Sequence, residues 1–221
     1  MFLKNQLSIK HITNTDEISS NNENILFLMI HGYRSNEKDL FFFKKDLPKN
    51  FFIISIQGIY PLGKEEYSWY DIDFSNEKKF INISQAKKTI DKISFFINEA
   101  IKEYQLKEDQ VWICGFSQGA ILSYSIAFKH PDKIKKIISL SGYLEKKLLP
   151  EKMNSNHYSN LEFFISHGKY DTIIPVNWIK KGLKFLKENK IIVEYKEYES
   201  GHTLNSTNYQ DIINWINKKI Y

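Results

Sequence analysis

The sequence predicts an α/β protein with a mostly parallel, doubly wound β-sheet that carries helices on both faces. Short apolar runs typical of strands alternate with longer segments of helical periodicity, an order that favours parallel strands joined by crossover helices. Most of the later apolar runs are continuous, as in strands buried on both sides. The 221 residues, 42% of them hydrophobic, fit a single domain spanning residues 1–221.

Seven strands and five helices are predicted from hydrophobic periodicity. The strands are Leu7–Ile12, Ile25–Ile30, Phe51–Ile56, Val111–Cys114, Ile134–Leu140, Leu161–Ser166 and Ile191–Tyr195. The helices are Asn36–Leu47, Ser84–Tyr104, Gln118–Lys129, Val176–Asn189 and Asn208–Lys219. Asn14–Asn24 is predicted as a loop, and Leu144–Asn160 is the only room for a lid, which must be small.

The charge pattern indicates a solvated surface rather than a nucleic-acid site. The net charge of +5 comes from lysines scattered among acidic residues, and Arg34 is the only arginine. Phosphate-reading sites favour arginine, and no basic stripe with interleaved aromatics occurs. The N-terminus has no apolar signal region and no run approaches 18 apolar residues, so we expect a cytoplasmic protein without stable membrane insertion. The lone cysteine, Cys114, cannot form an intramolecular disulfide and is interpreted as a buried thiol.

The segment Gly115-Phe116-Ser117-Gln118-Gly119 lies between a predicted buried strand and a predicted helix. Gly-x-Ser-x-Gly in that context is the pattern of a nucleophile elbow. The elbow backbone is strained, and side chains at the two glycine positions would collide across the turn. Ser117 is therefore the candidate nucleophile, against the alternative of a glycine-rich turn with an uninvolved serine.

A serine nucleophile needs a histidine base supported by a carboxylate, and after an elbow these follow in the order Ser, Asp or Glu, His. His202 follows the last predicted strand in a loop and is the favoured base. Asp171 follows the strand that ends near His167 and is the favoured acid, with a helix-capping role before Val176 as its alternative.

The other nearby histidines and acids are interpreted as structural. His130 lies at a helix end, His157 in a polar stretch, and His167 at a strand end where it shapes a turn. Asp132 is tied to the end of the elbow helix, and Glu199 is close to His202 in sequence.

Acyl transfer also needs donors for the tetrahedral oxyanion. By rule one donor is the backbone N–H after the nucleophile, that of Gln118. The second should follow an early strand, and Ile25–Ile30 is followed by His31-Gly32-Tyr33. Because Gly32 lets the backbone approach a ligand, the N–H of Tyr33 is the candidate second donor. The alternative for His31-Gly32 is a plain strand-to-loop turn.

Five segments resemble the phospholipase/carboxylesterase family of α/β-hydrolases, which includes acyl-protein thioesterases and small carboxylesterases. The segments are residues 29–33, Met-Ile-His-Gly-Tyr; 68–72, Ser-Trp-Tyr-Asp-Ile; 115–120, Gly-Phe-Ser-Gln-Gly-Ala; 140–144, Leu-Ser-Gly-Tyr-Leu; and His167-Gly168-x-x-Asp171 with Gly201-His202. They occur in family order from Met29 onward. The sequence departs from the family pattern at residues 33–36, Tyr-Arg-Ser-Asn, and in having no proline after Leu144.

The resemblance implies an α/β-hydrolase fold with a minimal lid or none, and a serine esterase that acts on esters or thioesters through an acyl-enzyme. It implies no metal and no organic cofactor, a small-molecule ester or acyl substrate, and no nucleic-acid partner; a homodimer is compatible with it. The resemblance implies that residues 69–72 border the active-site cleft, and the implied substrate-binding residues are Trp69, Tyr70, Tyr143 and Ile174. On sequence alone, the alternative for the aromatics of residues 69–72 is a role as core or loop anchors. The alternatives are a lysophospholipase or acyl-protein thioesterase for long chains, and a non-catalytic ligand-binding relative.

Overall fold

The computed structural model describes residues 7–14, 24–75, 81–151 and 158–220. Seven strands form one sheet in the order β1-β3-β2-β6-β7-β8-β9. Strand β1 pairs antiparallel with β3, and all other neighbours in this sheet are parallel. The strands within the described ranges are β1 (His11–Thr13), β2 (Ile25–Ile30), β3 (Phe51–Ile56), β4 (Tyr60–Gly63), β5 (Glu66–Ser68), β6 (Val111–Phe116), β7 (Ile134–Leu140), β8 (Glu162–Gly168) and β9 (Ile192–Tyr198). The helices are α1 (Ile83–Tyr104), α2 (Gln118–Lys129), α3 (Val176–Glu188) and α4 (Ser206–Ile220).

The sheet is covered on both faces, as predicted for a doubly wound protein. One hydrophobic cluster joins alternate residues of the central strands, such as Leu26 and Leu28, to helices α1, α2 and α3. The opposite cluster joins Phe27 and Met29 to α4. Every residue of β2 and β3 is buried, which explains why their apolar runs are continuous.

Three local elements differ from the prediction. The first strand covers His11–Thr13 rather than Leu7–Ile12. A 3-10 helix, Leu40–Asp46, replaces the predicted helix Asn36–Leu47, and its buried residues Leu40 and Phe43 have the three-residue spacing of that tighter helix. The hairpin β4–β5 was not predicted because all but one of its side chains are exposed or half-buried and show no strand periodicity.

The Phe41–Phe43 segment contributes to the core in part. Phe43 is buried and stacks on Tyr209, while 47% of Phe42 is exposed. Within the described ranges, no helix is long and apolar enough to cross a membrane.

Chemistry-bearing residues collect at the carboxyl edge of the parallel sheet. His31 follows β2, Ser117 follows β6, Asp171 follows β8 and His202 follows β9. Loops at this edge are where open α/β sheets bind ligands. The predicted lid region contains a 3-10 helix, Lys146–Leu148, and residues 152–157, including His157, lie outside the described residues.

Candidate active site

Ser117 lies at a sharp turn between β6 and α2. Its φ of 51° and ψ of −112° are in a region that residues with side chains rarely adopt. Its N–H donates to the Leu140 carbonyl at 2.8 Å, which ties the turn to the end of β7. This strained strand-to-helix turn has the backbone form of a nucleophile elbow.

The two glycines of the motif are required by close backbone approach, as the sequence predicted. A Cβ on Gly115 would lie 2.5 Å from the carbonyl of Gly119, and a Cβ on Gly119 would lie 2.0 Å from the Ile30 carbonyl oxygen. Helix α2 therefore packs directly against the end of β2, which brings the elbow beside the His31 loop.

We expect Gly119→Ala to destabilise the protein by several kcal/mol or to prevent folding, because the methyl group overlaps backbone that cannot move independently. Gly63→Ala is the matched control, since a Cβ there meets nothing closer than 3.6 Å. Urea unfolding of both variants measures the difference. Equal midpoints would contradict the packing of the elbow on β2.

His202 and Asp171 continue a chain of hydrogen bonds from Ser117. The Ser117 Oγ lies 2.8 Å from His202 Nε2, and His202 Nδ1 lies 2.7 Å from Asp171 Oδ2. The His202 loop closes against β8, where a Cβ on Gly168 would lie 2.1 Å from the Gly201 carbonyl oxygen. The three predicted residues are thus brought together in hydrogen-bonding order.

The Asp171 carboxylate is enclosed by donors. Its Oδ1 accepts from the N–H groups of Ile173 and Ile174, both at 2.9 Å. Burial alone would raise the pKa of Asp171, but the hydrogen bonds from His202 and Ile174 outweigh it, so the pKa lies below its ordinary value. Asp171 is therefore ionised at neutral pH, and its bonds to Ile173 and Ile174 cap a turn rather than helix α3.

His167 is the penultimate residue of β8, at the strand end where the sequence placed it. Its side chain is fully buried, and Nε2 lies 2.7 Å from the Ile174 carbonyl oxygen and 3.2 Å from Asp171 Oδ2. A carbonyl only accepts, so Nε2 carries a hydrogen. His167 therefore supports the loop that carries Asp171.

The rejected candidates for base and acid lie elsewhere. His130 is the C-terminal cap residue of α2, where its N–H donates to Ile126. Glu199 pairs with Lys169 and accepts from the Tyr170 hydroxyl. Cys114 is buried, and burial raises the pKa of its thiol, so it is no second nucleophile.

The two candidate oxyanion donors flank the serine. Gln118 begins α2, where N–H groups have no partner within the helix. Tyr33 lines the same cleft as Ser117, and an added Cβ on Gly32 would lie 3.4 Å from the Ser117 Cβ. Neither the Tyr33 nor the Gln118 N–H donates to another described residue. Both remain available to a ligand oxygen.

A narrow apolar cleft of about 210 Å³ opens onto Ser117 and His202. Two of the four predicted substrate-binding residues, Tyr70 and Ile174, line it. Tyr33, predicted as an oxyanion donor, and Ile72, from the segment implied to border the cleft, also line it, whereas the sequence interpretation did not include Phe74, Phe116, Ile121 and Ile173. The sequence positions of two of these residues could have indicated that they line the cleft. Phe116 lies between Gly115 and Ser117 in the elbow motif, and Phe74 follows the Trp-Tyr-Asp-Ile segment by two residues.

Trp69 and Tyr143 are not in this cleft, which corrects their expected substrate contact. Trp69 is fully buried, and its indole N–H donates to the His31 carbonyl at 2.9 Å. Tyr143 packs edge-on against Trp178 and lines a separate groove of about 370 Å³. At these two positions the aromatic side chains serve packing, not the substrate contact that the family resemblance implied.

Sequence comparison relates the chain to ester and thioester hydrolases. The profile of the family described as Phospholipase/Carboxylesterase matches residues 13–220. Acyl-protein thioesterase 1 of Kluyveromyces lactis is 26% identical over 163 residues, which cover 72% of this chain and 71% of that protein. Carboxylesterase SOBER1 of Arabidopsis thaliana is 25% identical over 159 residues, 69% of this chain and 68% of the plant protein.

Structural comparison confirms the predicted α/β-hydrolase fold. The crystal structure of the Bacillus cereus carboxylesterase superposes with a TM-score of 0.80 at 19% identity, covering 96% of this chain and 94% of that one. The carboxylesterase from Mesorhizobium loti gives a TM-score of 0.79 at 18% identity and covers 96% of both chains.

Proposed function

Since this chain belongs to the phospholipase/carboxylesterase family, we propose that it is a serine carboxylesterase that hydrolyses carboxylic esters and thioesters through an acyl-enzyme on Ser117. The observation that carries the proposal is the continuous hydrogen-bonded series of Ser117, His202 and Asp171, the first two of which line an apolar cleft. Among the described residues that line the cleft, Ser117 and His202 are the nucleophile and base that share a hydrogen bond.

The geometry supports a two-step acyl transfer. His202 Nε2, 2.8 Å from the Ser117 Oγ, takes the hydroxyl proton as that oxygen attacks the carbonyl carbon. Asp171 holds the proton-bearing Nδ1 and stabilises the imidazolium that forms. His202 then gives its proton to the leaving oxygen or sulfur. In the second step a water molecule attacks the acyl-enzyme, His202 takes the water proton and returns it to the Ser117 Oγ, and the carboxylic acid is released.

The negative charge of the tetrahedral intermediate falls on the former carbonyl oxygen. The N–H groups of Tyr33 and Gln118 are the proposed donors to it, because they flank Ser117 and are free of other described acceptors. Loss of one such donor typically raises the barrier by about 3–4 kcal/mol. These backbone groups supply stabilisation that needs no reorganisation during the reaction.

The cleft favours short to medium acyl groups. Its volume of about 210 Å³ is below the roughly 300–1,000 Å³ of sites for drug-sized ligands. We therefore propose a small ester substrate. Separately, we propose a cytoplasmic location and a single domain over residues 1–221. A homodimer is compatible with the proposal.

For p-nitrophenyl esters of increasing acyl length, we expect kcat/KM to rise up to about four to eight carbons and then level off. Each CH₂ buried in the cleft should add about 0.8 kcal/mol, or roughly fourfold in kcat/KM, until the cleft is filled. Steady-state kinetics on matched esters below their micellar concentrations measures the profile. Absence of hydrolysis at every length would contradict the esterase assignment.

The second candidate is a thioesterase or lysophospholipase for long acyl chains. It is favoured by the relative named acyl-protein thioesterase 1 and by the exposed side chains of Phe74 and Ile173 at the cleft, which could extend an apolar path. A continued rise of kcat/KM from eight to sixteen carbons would support this candidate over the first.

A further inference from the structure

His31, a residue without an assigned role, is buried beside the candidate oxyanion loop. Its Nε2 lies 2.8 Å from the backbone nitrogen of Gly58, and its Nδ1 lies 2.7 Å from the Gly32 carbonyl oxygen. The Gly58 N–H can only donate, so Nε2 must be the unprotonated nitrogen. The ring hydrogen is then on Nδ1 and donates to Gly32. Burial lowers the pKa of His31, which keeps the ring neutral in this tautomer.

The bond to the Gly32 carbonyl fixes the direction of the next N–H. Gly32 and Tyr33 share one peptide unit, which is planar and trans, with C=O and N–H pointing to opposite sides. While His31 holds the carbonyl on its own side, the Tyr33 N–H must point away from the ring. The peptide lies against the nucleophile, since a Cβ on Gly32 would lie 3.4 Å from the Ser117 Cβ.

A buried network holds His31 and joins it to Gln118, whose backbone N–H is the other candidate donor. Trp69 donates through its indole to the His31 carbonyl at 2.9 Å, and its own backbone N–H donates to the Gln118 Oε1 at 2.8 Å. The Gln118 side chain also donates to the Tyr70 carbonyl at 2.6 Å. Trp69 therefore connects His31, which precedes the Gly32–Tyr33 peptide, to Gln118.

We propose that His31 is a positioning residue for ester hydrolysis, whose Nδ1–H locks the Gly32–Tyr33 peptide so that the Tyr33 N–H faces the developing oxyanion. The proposal rests on the proposed function and on Tyr33 as a donor. His31 is not among the residues that line the cleft, so it acts through the peptide and not on the substrate.

The first test compares His31→Leu with His31→Asn. Leucine removes both ring nitrogens, whereas the asparagine amide can reach the Gly32 carbonyl in place of Nδ1. We expect His31→Leu to lower kcat about 10²- to 10³-fold with KM within about threefold of the original. His31→Asn should recover at least about tenfold of that kcat. The affinity for a trifluoromethyl ketone, which forms a tetrahedral adduct, should fall in parallel with kcat/KM.

A purely structural role would reduce the free energy of unfolding but leave kcat per folded molecule unchanged. That outcome, in variants shown to be folded by circular dichroism, would overturn the proposal. An inactive Ser117→Ala variant beside a fully active His31→Leu variant would refute this inference alone, whereas an active Ser117→Ala variant would refute the proposed function.

The second test uses the unsubstituted protein and decides the question if His31→Leu does not fold. In ¹⁵N spectra of histidine-labelled protein near pH 7, the His31 ring should show a protonated Nδ1 and an unprotonated Nε2. The His31 signals are identified as those that are missing from the spectrum of His31→Asn. A ring protonated at Nε2 would overturn the proposal, because its Nδ1 could not hold the Gly32 carbonyl.

Discussion

Replacement of Ser117 by alanine should lower kcat for a p-nitrophenyl ester by about 10⁴- to 10⁶-fold while the protein stays folded. The change removes the oxygen that lies 2.8 Å from His202 Nε2 and leaves no group that can form the acyl-enzyme. The remaining activity would come from the oxyanion donors and substrate binding alone. Steady-state kinetics at saturating ester, with circular dichroism for folding, measures the effect.

Ser125→Ala is the matched control for this variant. Ser125 is also a buried serine, lies on the elbow helix α2, and its hydroxyl has no hydrogen-bond partner among the described residues. We expect its kcat to stay within about twofold of the original. Comparable activity in Ser117→Ala and Ser125→Ala would mean that the elbow serine is not the nucleophile.

Asp171→Asn should lower kcat by about 10⁴-fold, although the side chain keeps its shape. The amide oxygen would stay with the N–H groups of Ile173 and Ile174, which can only donate. The amide NH₂ would then face His202 Nδ1 and require that nitrogen to accept. His202 would carry its hydrogen on Nε2, toward Ser117, and could not take the hydroxyl proton. Ester kinetics at pH 7 to 8 measures this loss.

Asp132→Asn is the control for loss of one carboxylate near the elbow helix. Asp132 is exposed and lies just beyond the end of α2, so its neutralisation should leave kcat unchanged within about twofold. A folded Asp171→Asn variant as active as Asp132→Asn would contradict the role of Asp171 as the acid.

The central strands could be predicted because their apolar runs are local features of the sequence, and the order of the candidate triad because the elbow motif fixes the order Ser, Asp or Glu, His. Strands such as Phe51–Ile56 are continuous apolar runs since both faces of the sheet are covered. Glycine is required at residues 115 and 119 because a side chain at residue 115 would collide with the Gly119 backbone, and one at residue 119 with the Ile30 carbonyl at the end of β2. The catalytic roles of Ser117, Asp171 and His202 stay predictions that the variants above test.

The cleft and the His31 network depend on contacts between distant segments, which a single sequence does not reveal. Ile173 and Phe116 meet at the cleft from loops after different strands. The tautomer of His31 depends on Gly58, 27 residues away. The family resemblance implied that Trp69 contacts the substrate, yet its indole N–H donates to the buried His31 carbonyl. The hydrophobic pattern of the sequence cannot indicate that partner.

Labelling with a fluorophosphonate, followed by mass spectrometry of the modified peptide, tests most directly whether Ser117 is an activated nucleophile. The reagent reacts with serines that a base has activated. We expect one adduct per chain, located on Ser117, with labelling lost in Ser117→Ala and at least about a hundredfold slower in His202→Ala. A folded protein that stays unlabelled, or that is labelled equally well in Ser117→Ala, would contradict the assignment.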